Sequence, residues 1–351
     1  MIIDQKSATA SPLTVAAVSE ESRQRLQQQM HQFIGPELAS VEAEIQELVE
    51  SRYPEVSRLT KRAASMGGKR LRPVLAILSA FACCDKMSPR KRKDLIRVGA
   101  AVELVHAASL VHDDVMDHAE ERRHQATVFS ISSNSQAILT GDFLFTRAYQ
   151  VAANCRSTFA AKMLAKAATQ LCEGELRQQA CIGNWNLPTK DYLDLLRQKT
   201  GVLCGASCFL GAWAAGGTRE QAKALGQFGT KLGVAFQIFD DWLDYWGTEE
   251  VGKTLGTDFA QEKPTLPTLR LLQIQGDSTA ARQRIVEALR NNKSNAHGIR
   301  QLLDDTDASQ YTLRCARGRI EAALSLVDSL QESTAKGLLQ QIARFSVMRT
   351  A

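Results

Sequence analysis

Proline sets the first limit on this fold. The 351-residue chain holds eight prolines, and none falls between Pro89 and Pro188 or between Pro188 and Pro264. Proline removes a backbone N–H and clashes with the preceding turn, so tracts without it are where long helices run. Strand signals are scarce: no Asn-Gly or Asp-Gly hairpin turn occurs, and β-branched runs are short. An all-α chain is expected. Behind Pro36, a good first-turn residue, Leu38, Val41, Ile45, Leu48 and Val49 recur at helical spacing, predicting a helix that starts there.

A loop through Gly67-Gly68 leads into a buried helix predicted over Leu71–Cys84. Arg90–Arg97 reads as a basic surface turn entering a helix that ends near Asp117. Further helices are predicted over Ala137–Ala153, Ala160–Ala180, Lys190–Ala215, Glu220–Tyr245, Leu266–Gln273, Ala280–Asn291 and Ala316–Gln340. Residues 1–20, rich in Ser, Ala and Thr, are expected to form a flexible tail. No repeat or Pro/Gly-rich linker divides residues 21–351, which read as one helical domain.

Composition excludes several classes. Hydrophobic residues make up 44% of the chain, enough for a sizeable core and too many for a disordered protein. A net charge of +5 is not the footprint of a nucleic-acid binder. The eight cysteines show no CxxC pair and sit mainly in apolar stretches, as reduced, buried thiols of a cytoplasmic protein would. No secretion signal is visible at the N-terminus. Thr200–Thr218 is uncharged, but its glycines suit a buried central helix better than a membrane span.

Two stretches carry chemistry: Leu110-Val-His-Asp-Asp-Val-Met-Asp117 and Gln237-Ile-Phe-Asp-Asp-Trp-Leu-Asp244. Each is an apolar helix ending in Asp-Asp-x-x-Asp, and two such patterns arise by chance in about one sequence per thousand of this composition. On a helix Asp113 and Asp117 share a face, as do Asp240 and Asp244. A solvated acidic helix end explains this poorly, because carboxylates are unfavourable at a helix C-terminus and like charges at i,i+4 repel. A divalent cation removes both costs. Oxygen-only ligands that leave room for water suit Mg²⁺, and Asp113, Asp114, Asp117, Asp240, Asp241 and Asp244 are the candidate ligands. Basic residues flank the aspartates: Lys69 and Arg72 at a helix start, then Arg122-Arg123, Lys199-Thr200, Lys253 and Lys263. Together they describe a pocket for two diphosphates, one metal-bound and one held by cations alone.

At this point the chain resembles the trans-isoprenyl diphosphate (polyprenyl) synthase family, from about Gln29 to Ala343 by motif order. Gly67–Pro73 is similar to the family's first signature, Leu110–Asp117 and Phe236–Asp244 to its aspartate-rich motifs, and Gly252–Asp258 with Lys263–Pro267 to the segment that follows. The resemblance implies antiparallel helices around a central cavity, a homodimer, and about three Mg²⁺ ions per site. It implies that Lys69, Arg72, His106 and Arg123 hold isopentenyl diphosphate, although His106 alone reads as a core histidine. Asp113 and Asp117, with Asp240 opposite, would carry Mg²⁺ on an allylic diphosphate. Arg122, Lys199, Lys253 and Lys263 would neutralise that leaving group. Lys199, Thr200, Gln237 and Phe236 would serve catalysis, the last three by facing a developing carbocation; His112 reads as structural.

Two positions depart from the family, which usually has Gly where this chain has His124 and Glu262. Chain length is read from Ala108 and Ser109, about 6 Å below Asp113 on the same helix face. Small side chains there leave a tunnel open, implying a product longer than geranylgeranyl, with Phe143 or Phe145 as a floor. The expected protein is a prenyl-chain-elongating transferase without nucleic-acid partners, releasing product at a membrane surface. Shorter-chain synthases, a terpene cyclase and a non-catalytic subunit of a heteromeric synthase are the alternatives.

Overall fold

The computed structural model describes residues 20–66, 68–247, 255–276, 278–291 and 296–348. Helices dominate: α1 (Glu20–Leu48), α2 (Pro54–Ser65), α3 (Leu71–Phe81) and α4 (Pro89–Met116) precede a two-stranded hairpin, β1 (Glu121–Arg122) and β2 (Gln125–Ala126). There follow α5 (Val128–Ile131), α6 (Asn134–Ala153), α7 (Phe159–Ala180) and α8 (Thr189–Leu196). A π-helical turn, Arg197–Gly201, joins α8 to α9 (Val202–Ala215), and α10 (Arg219–Trp246) returns beside it. The chain closes with α11 (Thr257–Ala260), α12 (Leu266–Gln275), α13 (Thr279–Asn291), α14 (Ala296–Asp304), α15 (Ala308–Val327) and α16 (Thr334–Ser346).

Short polar side chains set the boundaries. Ser88 accepts from Lys91 N ahead of Pro89, which starts α4. Ser133 with Gln136 and Thr218 with Gln221 form capping boxes that open α6 and α10. Gly216, at φ 82°, ends α9 in the left-handed conformation that only glycine adopts freely.

The main core gathers side chains from α1–α4, α6, α7, α9, α10, α15 and α16. A smaller cluster around Trp185, Tyr245 and Phe259 ties α12–α14 to the end of α10. α9 is central because its small residues admit neighbouring backbones. A β-carbon at Gly211 would lie 2.0 Å from Ala76 O of α3, and one at Gly205 2.9 Å from Gly226 O of α10. α4 is long and apolar enough to cross a membrane by composition, yet 72% of its apolar window is buried inside the fold.

Several sequence expectations need correction. Pro36 lies inside α1, not at its start; Gly35 before it has no β-carbon to clash with the proline ring. Arg90–Arg97 forms the first two turns of α4, because Ser88 and Pro89 start the helix earlier. The helix predicted over Lys190–Ala215 runs without interruption from Thr189 but widens into the π turn at Arg197–Gly201, whereas that predicted over Ala316–Gln340 is two helices. Lys336 fixes the break between those two, its Nζ donating to the carbonyls of Asp328 (2.9 Å) and Leu330 (3.0 Å). The helix after Gly68 ends at Phe81, and α2, α14 and the hairpin went unpredicted. All eight cysteines are free, but only Cys155, Cys204 and Cys208 are buried, and Cys172 is exposed. The tail expected over residues 1–20 lies almost wholly outside the described residues.

Backbone contact at α9 makes a stability prediction. Gly211→Ala should cost about 1–3 kcal/mol by forcing α9 from α3. Gly318→Ala, in α15 with nothing within 4 Å of its β-carbon position, should instead stabilise by about 0.5–1 kcal/mol. Urea unfolding midpoints compare the two, and equal shifts would refute the close approach.

Candidate active site

The last turns of α4 and α10 bring the two aspartate motifs to the same end of the helix bundle. Asp114 is buried and accepts from Arg122 Nη2 at 2.8 Å and Nε at 2.9 Å. Asp117 meets Lys263 Nζ at 3.2 Å, a pair 146 residues apart in sequence that joins the first motif to the segment after the second. Burial pushes the Asp113 carboxyl up to about 6; Lys199 opposes that rise, while Glu175 and Asp117 add to it.

In the second motif, Asp241 is buried and accepts from the Tyr192 hydroxyl and from Gln237 Nε2 at 3.0 Å. Thr200 Oγ1 donates to Gln237 Oε1 at 3.1 Å. The chain Thr200–Gln237–Asp241 therefore fixes which way the Gln237 amide points. Burial and Asp241 push the Tyr192 phenol well up, so it stays a donor. Burial also drives Asp241 up to about 6. Asp244 accepts from the backbone N–H of Thr257 and of Asp258, both at 3.1 Å, and from Thr257 Oγ1 at 2.8 Å. Partly buried Asp258, beside Asp241 and Asp244, lies well above the usual carboxylate range because desolvation and both neighbours raise it.

Lys199 comes from the π turn, a feature that often marks functional positions. Its Nζ lies 2.9 Å from Glu175 Oε2 and 2.7 Å from Gln178 Oε1, both on α7. Burial opposes its charge, but Asp113 and Glu175 outweigh that and keep Lys199 above its ordinary value. The turn fits because α7 carries Gly174 against it: a β-carbon there would lie 2.7 Å from Gln198 Cβ.

A second cationic group surrounds His106. Burial, then Arg72, Arg122, Arg123 and Arg70, hold that imidazole well below its ordinary value and therefore neutral. Arg70 is structural, bonded to Glu42 Oε2 (2.9 Å), Glu103 Oε1 (3.1 Å) and Ala64 O (2.9 Å). Arg72 Nε, by contrast, is buried with no hydrogen-bond partner. Arg123 donates to Met66 O at 3.0 Å and passes over Gly68, where a β-carbon would come within 1.6 Å of Nη1. Lys69 is exposed beside them.

Among the expected chain-length residues, Ala108 is fully buried, and Ser109 turns its hydroxyl onto His106 O at 2.9 Å. Phe145 lies between His112 (5.8 Å between centroids) and Tyr149 (6.3 Å), and Phe143 lies under Arg147. His112 packs within 3.1 Å of Ile138 O, as a structural residue would. Phe236 is partly buried one turn before Asp240. Lys253 lies outside the described residues. Sequence reasoning missed Glu175, Gln178, Tyr192 and Asp258. Asp258 stood inside a quoted motif without a role, and the others lie on helices with no motif of their own.

Among the described residues no three carboxylate, histidine or cysteine side chains converge as a ready-made metal centre. The donor set nonetheless fits a hard cation. Asp113, Asp241 and Asp258 all lie above the usual carboxylate range, because desolvation and neighbouring carboxylates both raise each of them. A divalent ion offsets that repulsion, and oxygen ligands select Mg²⁺-like ions.

A family model described as polyprenyl synthetase matches residues 53–306. The chain is 35% identical over 317 residues to heptaprenyl diphosphate synthase component 2 of Geobacillus stearothermophilus, covering 90% of this chain and 97% of that one. It is 32% identical over 315 residues to octaprenyl diphosphate synthase of Haemophilus influenzae, covering 90% and 94%. A polyprenyl synthase from Caulobacter crescentus, solved with calcium and isoprenyl diphosphate, superposes with a TM-score of 0.84 at 31% identity over 92% and 98% of the two chains. Matched relatives and structures run from geranylgeranyl to nonaprenyl and decaprenyl synthases by name, so product length rests on individual residues.

Carboxylate crowding predicts a pH effect in metal-free buffer. Asp113 rises from 3.8 to about 6 on folding, so the folded state binds more protons between those values. Its contribution is present below pH 3.8 and lost as pH climbs through about 6. Asp113→Asn should flatten the fall in urea midpoint across that window, and Mg²⁺ should raise the midpoint more above pH 6 than below it. An unaltered slope in the variant would show that Asp113 ionises freely.

Proposed function

The chain belongs to the polyprenyl synthetase family and is a trans-prenyltransferase, and we propose that it condenses isopentenyl diphosphate with an allylic diphosphate, using Mg²⁺, to build an all-trans chain longer than geranylgeranyl. One observation carries this reading: two aspartate motifs joined through Lys263–Asp117, with a separate guanidinium cluster around a neutral His106.

Asp113, Asp117 and Asp240 are the proposed first ligands of the metal. Asp114, Asp241 and Asp244 would act more through position and charge. Bound Mg²⁺ supplies positive charge to the departing diphosphate. Lys199, Lys263, Arg122 and, by resemblance, Lys253 add fixed charge to the same anion. Arg72, Arg123, Lys69 and the N–H of His106 hold the second diphosphate, whose oxygen gives the orphaned Arg72 Nε an acceptor.

The allylic C–O bond breaks, leaving a carbocation and diphosphate. The isopentenyl double bond then attacks that cation, and loss of a proton to the diphosphate restores a double bond. Thr200, Gln237 and Phe236 face the cation, with the Gln237 amide oriented by the Thr200 and Asp241 hydrogen bonds. Apolar helix faces keep water from quenching it.

Ala108 and Ser109 support the longer product, because a methyl group and a hydroxyl turned back onto His106 O put no bulky side chain on the face below Asp113. A homodimer follows from the resemblance, and exposed Leu139 on α6 and Leu176 on α7 (64% and 72%) are available to such a contact. Free thiols suit a reducing, cytoplasmic setting. Retention of all six aspartates favours a catalytic chain over a regulatory subunit.

With farnesyl diphosphate, labelled isopentenyl diphosphate and Mg²⁺, the purified protein should release chains longer than geranylgeranyl, and a chelator should stop it. Asp113→Asn or Asp240→Asn should lower turnover by roughly 100-fold or more; near-normal turnover would overturn their assignment. In the same assay Ala108→Phe should shorten the product, and an unchanged length would mean that the tunnel runs elsewhere.

A further inference from the structure

The helices that end in aspartates begin at a second, differently built end. α4 starts at Pro89, about 35 Å from Asp113 at the rise of an α-helix. Lys91 lies against Gly216 at the end of α9, its Nζ 2.5 Å from the β-carbon position, and Cys83 lies against Gly217. Arg97 donates to Asn154 O and Arg156 pairs with Asp94 at 2.9 Å. The starts of α4, α7 and α10 therefore meet the ends of α3, α6 and α9 here.

This end is basic. Lys86, Arg90, Lys93, Arg219 and Lys223 are exposed and Lys91 is partly so, against exposed acids at Asp85 and Glu220. Two other charges are already spent: Arg92 pairs with buried Glu37 at 2.7 Å, and Asp94 is buried under Arg156. None of the six basic side chains has an ion-pair partner among the described residues.

Aromatic rings accompany the charge. Phe159 of α7 lies 6.0 Å from Phe209 and 5.5 Å from Trp213 of α9, and all three rings remain partly exposed. The Arg156 guanidinium sits 4.1 Å over Trp213. Phe209 lies against Gly226 of α10, where a β-carbon would come 3.2 Å from its Cβ, one helical turn from Lys223. Partly exposed aromatics beside unpaired Lys and Arg suit the boundary of a bilayer, where rings enter the headgroup layer and cations meet lipid phosphates. The rings contact one another and offer no row of separate faces for stacked bases, which a nucleic-acid site would need.

We propose that this end of the bundle docks on the anionic surface of a lipid bilayer. The purpose of docking rests on the proposed function: a lipid elongating from the aspartates past Ala108 grows toward this end. Docking itself does not depend on that activity.

Flotation with vesicles of neutral phosphatidylcholine, or of the same lipid with anionic phosphatidylglycerol, tests the proposal on the full chain without substrate. The protein should float with anionic vesicles at low salt, stay behind with neutral ones, and be released by added salt. Arg90→Glu/Lys93→Glu/Lys223→Glu should weaken anionic binding roughly tenfold or more while melting temperature and prenyl transfer stay unchanged. Lys190→Glu/Arg284→Glu, on α8 and α13, should have no such effect. Equal binding by the triple variant, binding to neutral vesicles alone, or capture of duplex RNA with no vesicle binding would overturn it. A chain that elongates but ignores anionic vesicles refutes docking alone, and one that floats but never elongates refutes the proposed function alone.

Discussion

Carboxylates gathered at the C-terminal ends of two helices face the negative ends of both dipoles and one another. The surrounding structure answers that crowding residue by residue. Arg122 takes Asp114, Lys263 takes Asp117, Tyr192 and Gln237 take Asp241, and backbone N–H groups take Asp244. Partly buried Asp113 and Asp258, and Asp241 despite its partners, are left above the ordinary carboxylate range. The remaining imbalance is negative, local and lined with oxygen, so a hard cation is the natural counter-charge. Two turns earlier on the same face of α4, the imbalance around His106 is positive and suits a bare anion. One helix face thus carries two anion sites of different kinds.

Keeping those sites apart requires rigid helices at close range, and small residues provide it. Gly174 lets α7 touch the π turn, and Gly201 and Gly205 let α9 lie against Thr230 and Gly226 of α10. The π turn then projects Lys199 toward Glu175 and Thr200 toward Gln237. The same uncharged stretch that raised a membrane question is a packing surface. Its apolarity serves backbone contact at the centre of the bundle, where long side chains would not fit.

The fold class was legible in the proline spacing, and the aspartates in their repeated pattern, because both are local properties. The pairings between distant segments were not. Nothing in the sequence places Lys263 on Asp117, Tyr192 on Asp241, or Glu175 on Lys199. Those contacts depend on how α7, α8 and α10 pack. Helix limits failed where a side chain outside the periodic pattern intervened, as Lys336 does by satisfying the carbonyls after α15. Pro36 misled in the opposite sense: a residue that normally starts a helix sits within one.

His124 and Glu262, the two departures from the glycine pattern, both adopt left-handed backbone, at φ 58° and 52°. Their positions retain the conformation glycine favours, at a cost of roughly 1–2 kcal/mol each. At the hairpin, Arg123 and His124 both have positive φ between the paired residues Arg122 and Gln125, the signature of a tight two-residue turn. That turn sends consecutive arginines to different places, Arg122 to Asp114 and Arg123 to the loop at Gly68. Glu262 is held by Gly183 N on its carbonyl at 2.9 Å and by Arg290 at 3.4 Å, one residue before Lys263 reaches Asp117. Each strained residue therefore sits next to a cation that must be aimed. Relaxing either backbone would move Arg123 or Lys263 away from its site, so replacement of glycine changes the cost of the turn and leaves its geometry in place.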